Sequence, residues 1–458
     1  MLNYKNDSLL LNKETANDLI RDKRTNLIFL DKDMKLLNLF SAFVKKDDFI
    51  KTDKIVQPLQ KTVYVKVSKN MVKRIDEKYS NRIDLIKRLE TYIDRRTSIK
   101  ETLAKWFNTE IFPFILLRII SKDNKELSDF IKEVEYFTDF LNKSRFYCPK
   151  KLDDLLNKKV IYLVGCSVGD GHINKEGKRW TLVDGSSKKE RLLHSKEFVS
   201  ELAYLLRNYL DTYEIREYPT KYALRINNKL FCKFLNFFFG LPFGKKKNII
   251  LQKPSILNFD KKDPNKYFWR GCFDTDGSVN NCGAIDFCSS DKKLLTECKD
   301  YLEGNNIQVK ETKRSIFVGM SDLKKFSFIG FSHPRKQKEY LEILKRGPKF
   351  KDIKRRVNSK IDKRLLNIYP LLRIDNNYRI RIHTKTLKNS EFDRERLQKA
   401  IKDLFGYEFK ESKTGLLYFK SKRVYDHLNE NFIFEPYWKP INTKEKDRLL
   451  NEWNEVWK

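Results

Sequence analysis

Two apolar segments with the same internal pattern begin 106 residues apart in the chain. They read IYLVGCSVGDGHI over residues 161–173 and YFWRGCFDTDGSV over residues 267–279. Each is an apolar run followed by an aspartate and a glycine, which predicts a buried helix that ends at the aspartate. The aspartates are Asp170 and Asp276. The matching contexts indicate an internal duplication.

The residues that follow each segment predict the same order of elements. WTLVDG, YEIREY and KYALRIN read as strands after the first segment, and AIDFCSS, IQVKET and SIFVGM read as strands after the second. Helical patterns lie between and after these strands. The fold class is therefore α+β, with two tandem units of helix, two strands, helix, two strands and helix at residues 155–258 and 262–345. Alternation within KYALRIN predicts sheets with one face packed on helices and one polar face.

Residues 1–150 read mainly as helix, with one alternating strand pattern, KTVYVKVS. TSIKETLAKWF opens with a capping-box pattern and is followed at once by NTEIFPFILLRII. Two short helices with a tight joint are typical of a DNA-binding helix-turn-helix. A helical domain that only packs on the rest of the chain has the same pattern, so both interpretations stay open.

A basic Gly-Pro break, KRGPKFKDIKRR, predicts a boundary before a C-terminal unit at residues 357–458. That unit reads as strand, helix, two strands and helix, so it is either a third copy without the glycine-aspartate helix or an unrelated βαββα arrangement. In its first strand, Arg379 and Arg381 lie opposite the apolar residue Ile380. We expect these arginines to add contacts to phosphates or bases.

Composition narrows the class of partner. The 458 residues carry a formal net charge of +33, which favours a polyanion, and nucleic acid more than an anionic membrane surface. Seven cysteines without a CxxC pair indicate a reducing compartment and neither a zinc site nor a disulfide framework. No signal peptide or transmembrane segment is apparent. We expect a protein that is neither secreted nor membrane-bound and, in a prokaryote, is cytoplasmic and associated with the nucleoid.

Small residues predict that the two apolar helices touch. Gly165 and Gly169 are four residues apart, as are Gly271 and Thr275, and this spacing lets helix backbones approach closely. The glycines after the two aspartates, at positions 171 and 277, are of the type that ends a helix in the left-handed conformation.

Adjacent helix ends would place the two aspartates together. A carboxylate at a helix C-terminus is unfavourable, and a second carboxylate beside it adds repulsion. A divalent cation with oxygen ligands would relieve both. A cation held by two carboxylates on a basic, DNA-facing surface is suited to phosphodiester hydrolysis.

LVGCSVGDG and WRGCFDTDG resemble the two motifs of single-chain LAGLIDADG homing endonucleases. LPFGKKKNI resembles the lysine block between these motifs in archaeal and intein members, and IGFSHPRKQKEYL resembles the block that closes the second repeat. The resemblance covers residues 155 to 345. It implies two αββαββα halves that form a saddle of sheets over DNA, with the motif helices at the seam and Mg²⁺ beneath it.

The resemblance also implies roles for particular residues. Asp170 and Asp276 would be the catalytic metal ligands, and Lys246 or Lys247 would be the basic residue near the first scissile phosphate, with Lys336 as its counterpart. Asp274 would cap or be solvated, because Val168 stands at its position in the first motif. Polar strand positions predict DNA contacts at Arg216, Arg225, Lys310, Arg379 and Arg381.

These residues together predict a site-specific, Mg²⁺-dependent endonuclease that cuts both strands of a long asymmetric duplex as a monomer. A non-cleaving DNA-binding regulator and an intron RNA maturase on the same scaffold are the alternatives. The chain starts at Met1 and lacks a His-Asn splice junction at its end, so we expect a free-standing protein and not an intein.

Overall fold

The structure is a computed structural model that describes part of the chain. The described residues are 63–79, 84–86, 99–121, 126, 129–130, 132–138, 144–147, 154, 156–246, 251, 253–254, 257, 264–280, 284–347, 350–356, 365, 368–375, 377–383, 394–412, 416–436 and 439–458. The predicted site residue Lys247 and any feature of residues 1–62 lie outside them.

The described N-terminal residues form a sheet flanked by helices. Its strands have the order β2-β1-β3 and are antiparallel. The elements are β1 (Tyr64–Val67), α1 (Lys69–Lys78), α2 (Ile99–Thr109), β2 (Ile111–Pro113), α3 (Phe114–Ile120) and β3 (Val134–Thr138). The expectation of a mainly helical region missed β2 and β3. Strand β2 also replaces the tight turn of the predicted helix-turn-helix, because Ile111–Pro113 pairs with β1.

The first apolar segment opens a run of elements from Lys158 to Phe239. They are α4 (Lys158–Val168), β4 (His172–Ile173), β5 (Trp180–Gly185), α5 (Lys189–Leu206), β6 (Glu214–Tyr218), β7 (Lys221–Ile226) and α6 (Lys229–Phe239). The strands form one antiparallel sheet with the order β4-β5-β7-β6. Leu182 and Leu224 pair across β5 and β7 and are fully buried, so this sheet face lies against the helices.

The second apolar segment opens a run with the same order of elements. They are α7 (Asn265–Asp276), β8 (Gly277–Val279), β9 (Ile285–Cys288), α8 (Lys292–Gly304), β10 (Val309–Glu311), β11 (Ser315–Val318) and α9 (Pro334–Arg346), with 3-10 turns at Met320–Asp322 and Lys325–Phe328. The sheet order is β8-β9-β11-β10. First, second, fourth and third strands therefore lie side by side in both sheets.

The C-terminal elements form a six-stranded sheet with the order β15-β16-β14-β13-β12-β17. The elements are β12 (Phe350–Arg356), β13 (Arg373–Asp375), β14 (Arg379–His383), α10 (Arg394–Phe405), β15 (Lys410–Glu411), β16 (Leu416–Lys420), α11 (Lys422–Asn431), β17 (Phe432–Pro436) and α12 (Thr443–Trp453), with 3-10 turns at Tyr369–Leu371 and Asn454–Val456. Within it, β13-β14-β16-β15 has the same strand order as the two four-stranded sheets of the central segments.

Two hydrophobic cores divide the described residues differently from the expected boundaries. One core holds the buried side chains of the C-terminal sheet and its helices between Leu365 and Phe432. The other runs from Val65 through both central segments and also contains Ile441, Leu449, Trp453 and Val456. The C-terminal unit therefore does not extend over 357–458: β12 begins before it, and the last helix packs on the central segments. No described helix is long and apolar enough to span a membrane.

Candidate active site

Helices α4 and α7 pack against each other along their glycines. A Cβ added at Gly165 would lie 2.1 Å from the carbonyl oxygen of Phe268, and one added at Gly271 would lie 2.3 Å from the carbonyl oxygen of Tyr162. These contacts leave no room for a side chain. The small residues thus determine that the two helix backbones touch, as their spacing predicted.

The two motif aspartates follow the ends of this helix pair. Asp276 is the last residue of α7, but α4 ends at Val168, so the prediction that Asp170 is a helical residue is wrong. The predicted left-handed glycines are also wrong, since Gly277 has a φ of −86° and Gly171 is not among the glycines with positive φ. Added Cβ atoms at these glycines would lie 2.4 Å from the preceding helical turn, so space is what requires glycine.

Both aspartates are held in surroundings that disfavour their negative charge. Burial and the nearby charge of Asp170 raise the pKa of Asp276 to about 6. Burial also raises the pKa of Asp170, against the opposing charges of Lys336 and Lys246, although this residue keeps an exposed surface. A cation beside the pair would stabilise its ionised form.

Lys246 lies over the end of α4. Its Nζ donates hydrogen bonds to the carbonyl oxygens of Ser167 at 2.9 Å and Val168 at 2.6 Å, and to that of Gly169. Burial lowers the pKa of Lys246 to about 8, while the charges of Asp276 and Asp170 act to raise it. The ammonium therefore donates hydrogen bonds to carbonyls that have no partner within the helix.

Lys336 makes the corresponding contacts at the end of α7. Its Nζ donates to the carbonyl oxygens of Phe273 at 3.0 Å, Asp274 at 2.6 Å and Thr275 at 2.9 Å, and the side chain is 2% exposed. Burial lowers the pKa of Lys336, and the charge of Asp274 is the main opposing influence. Near the end of each motif helix there is thus one aspartate and one lysine that donates to the last carbonyls, Lys336 buried and Lys246 partly buried.

Asp274 is a buried hydrogen-bond acceptor between the two segments. It is 1% exposed, so the expectation that it is solvated is wrong. Its Oδ2 accepts from the hydroxyl of Tyr162 on α4 at 2.6 Å and from the backbone N–H of Ser332 at 3.0 Å. Burial raises the pKa of Asp274, while His333, the hydrogen bond from Tyr162 and the charge of Lys336 act to lower it. Asp274 therefore links α4, α7 and the loop before α9.

A second polar contact crosses between the segments at His333, which the sequence analysis did not single out. His333 is completely buried, and its Nε2 lies 3.0 Å from Oδ2 of Asp184 on β5. Burial opposes ionisation of Asp184, but the hydrogen bonds from His333 and Ser195 hold the pKa of Asp184 below its ordinary value. The His-Pro pair ahead of Lys336 was the feature of the sequence that could have indicated this contact.

The C-terminal residues cover the side of the helix pair near Tyr162. Trp453 donates through its Nε1 to the carbonyl of Ser327, and its own carbonyl accepts from Ser332 and Arg270. Trp457 packs its ring on Tyr162 with centroids 5.1 Å apart. The ending WNEVWK thus contributes the buried Trp453 and the partly buried Trp457 to the core of the central segments. The sequence analysis assigned both residues to the C-terminal unit.

The predicted DNA-contacting residues are distributed over three sheets. Arg216 and Lys310 are exposed, and Arg216 pairs with Glu214 at 2.5 Å. Arg225 donates to the hydroxyl of Tyr218 at 2.6 Å. In the C-terminal sheet Arg379 is exposed, but Arg381 is only 9% exposed, which leaves little of its guanidinium for a partner.

The two carboxylates at the seam are a donor set of the kind that divalent cations use. Within the described residues, no cluster of three or more His, Cys, Asp or Glu side chains could hold a metal. Magnesium is commonly bound by one or two carboxylates together with water and substrate phosphates. The aspartates at the two helix ends supply that number of ligands, and their raised pKa values are the electrostatic reason for them to bind a cation.

Residues 263–326 match the family model described as LAGLIDADG-like domain. This match covers α7 and the strands and helix that follow it. A solved structure described as mesophilic variants of the homing endonuclease I-DmoI aligns with a TM-score of 0.28 and 15% identity, covering 37% of this chain and 89% of that chain. None of the curated proteins compared with the chain matches it.

Proposed function

We propose that this protein is a site-specific DNA endonuclease of the LAGLIDADG type that hydrolyses phosphodiesters with Mg²⁺ held by Asp170 and Asp276. The observation that carries the proposal is the convergence of two carboxylates and two lysines at the ends of one tightly packed helix pair. The LAGLIDADG-like match over residues 263–326 supports it.

Each helix end would serve one DNA strand. Asp170 and Asp276 would hold the ion, whose chemistry there would be Lewis-acid polarisation of the phosphate and of a water. Lys246 and Lys336 place a positive charge beside the carbonyls next to each aspartate, where a phosphate oxygen gains negative charge during hydrolysis. The residue at position 247 can assist at the first end.

The two central segments would act as halves of one saddle. Their identical strand orders support a tandem duplication, and one chain with two unlike halves is suited to a long asymmetric duplex bound by a monomer. We assign phosphate or base contacts to the polar sheet residues Arg216, Arg225 and Lys310, and further backbone contacts to Arg379. The net charge of +33 supports these contacts.

The proposal is tested by incubating the protein and Mg²⁺ with a library of randomised DNA duplexes and sequencing the cut ends. Asp170→Asn and Asp276→Asn should each abolish cleavage, with a rate loss of about 10³-fold or more, while specific binding is retained. Asp300→Asn changes an exposed carboxylate on α8 and should cut like the wild type.

Two results would contradict the proposal. Specific duplex binding without any cleavage by the wild type would favour the non-cleaving regulator. Cleavage that persists in both aspartate variants would place the chemistry elsewhere in the molecule.

A further inference from the structure

Lys336 is held by a helix whose first turn is fixed from the opposite segment. Helix α9 begins at Pro334, with His333 as its N-cap, and Lys336 is the third helical residue. The position of Lys336 over the end of α7 therefore depends on where this helix begins.

The N-cap contact indicates which ring nitrogen of His333 carries the proton in the neutral tautomer. Its Nδ1 accepts a hydrogen bond from the backbone N–H of Arg335 at 3.2 Å, so Nδ1 carries no proton. In the neutral ring the proton is then on Nε2, which donates to Oδ2 of Asp184 at 3.0 Å. One ring thus joins the start of α9 to strand β5 of the other segment.

The ring of His333 is also packed against the first segment. His333 is fully buried and stacks on Phe198 of α5, with centroids 4.5 Å apart and planes inclined by 28°. Phe198 belongs to the same segment as Asp184. Both the stacking and the hydrogen bond therefore place the start of α9 against the first segment.

Lys246 has no equivalent support within the described residues. It lies in an irregular stretch after α6 and not on a helix, and it reaches the end of α4 from its own segment. Loss of this hydrogen bond should consequently displace Lys336 and not Lys246, whereas the charge of Asp184 also acts on Asp170 at the other helix end.

We infer that the hydrogen bond between His333 and Asp184 positions Lys336, so that the first segment sets the geometry of the catalytic centre at the end of α7. His333 and Asp184 are positioning residues that act through Lys336 and do not contact the phosphate. This inference rests on the proposed function, in which each lysine serves one strand.

Strand-resolved cleavage tests it on the duplex recovered from the library, labelled differently on its two strands. Asp184→Ala should slow the cut of one strand about 10- to 100-fold, the range for lost supporting contacts, and leave nicked DNA. The other strand should be cut at the rate of Asp184→Asn, because both variants lose the charge that raises the pKa of Asp170. Asp184→Asn keeps an oxygen that accepts from Nε2–H and should restore most of the lost rate.

Arg191→Ala is the matched control. Arg191 on α5 pairs with Glu339 on α9 at 3.4 Å, so it is another contact between the same helix and the same segment, but it lies on the surface. This variant should cut both strands like the wild type. Equal slowing of both strands by Asp184→Ala relative to Asp184→Asn would overturn the inference.

Hydrogen exchange followed by mass spectrometry separates this inference from the proposed function. In Asp184→Ala the peptide that contains residues 333–337 should exchange faster than in the wild type, whereas peptides from α4 should not change. Unchanged exchange in the first turn of α9 would overturn the inference even if the wild type cuts no DNA. Faster exchange in Asp184→Ala, together with no cutting by the wild type, would contradict the proposed function and leave the contact between His333 and Asp184 as a positioning contact for Lys336.

Discussion

The two lysines at the helix ends make the same contacts in different surroundings. Lys246 and Lys336 each donate to three successive carbonyls at the end of a motif helix. Lys336 lies on a capped helix and has the buried carboxylate of Asp274 nearby, whereas Val168 occupies the matching position in the first motif. For Lys246, the charges that favour the protonated form are those of Asp276 and Asp170 themselves.

This difference shows that two helix ends with the same lysine contacts can differ in their electrostatics. A buried ammonium needs a nearby negative charge to remain protonated. At the second end a residue outside the metal site supplies that charge. At the first end the aspartates that would hold the ion are also the neighbours that stabilise the lysine.

The largest expected effect comes from removing Asp274. Asp274→Leu removes the acceptor of the Tyr162 hydroxyl and the Ser332 N–H, together with the negative charge near the Lys336 ammonium. It should cost about 3–5 kcal/mol of unfolding free energy. Asp274→Asn keeps an acceptor and should cost less, which separates the hydrogen bonds from the charge. Val168→Ala at the matching position should cost only about 1–2 kcal/mol as a core truncation. Urea denaturation measures the unfolding free energy of all three variants. Equal losses for Asp274→Leu and Val168→Ala would contradict the difference between the two helix ends.

The next effect follows from the pKa of about 8 at Lys246. This value lies below the ordinary 10.5, so between pH 8 and 10.5 the unfolded chain binds more protons and the unfolding free energy rises with pH. In a buffer with a chelator, the wild type should gain up to about 3 kcal/mol relative to Lys246→Met across this window. Lys245→Met, at an exposed neighbour, should follow the wild type. A constant difference between wild type and Lys246→Met would show that the ammonium is not destabilised.

The smallest effect concerns the aspartates. The pKa of about 6 at Asp276 exceeds the ordinary 3.8, so the folded protein binds more protons between these values and loses stability as pH rises through them. Without metal, Asp276→Asn should match the wild type near pH 4. Above pH 6 it should be more stable by about 2 kcal/mol, less than the full shift because the side chain is only half-buried.

Thermal melts with and without Mg²⁺ complete this comparison. Because a ligand that binds only the folded state stabilises it, Mg²⁺ should raise the melting temperature of the wild type more than that of Asp276→Asn. Asp300→Asn should respond to Mg²⁺ as the wild type does. An equal response of Asp276→Asn would place metal binding away from Asp276.

Local pattern predicted the central elements well. The strands YEIREY and KYALRIN and the helices around them occur at the expected places, because alternation and helical spacing are short-range properties that the packing of each segment retained. The N-terminal region was harder to predict. Ile111–Pro113 is a three-residue strand, and only its pairing with β1 distinguishes it from a helix joint.

The sequence by itself determined which residues meet at the seam. Glycines that leave no room for a Cβ bring α4 and α7 together. Because the two aspartates follow these glycines closely in the sequence, they lie near the ends of the packed helices. Only the tertiary structure decided what surrounds them. The positions of Asp184, His333 and Trp453 depend on contacts between residues more than a hundred positions apart, and no short-range pattern records such contacts.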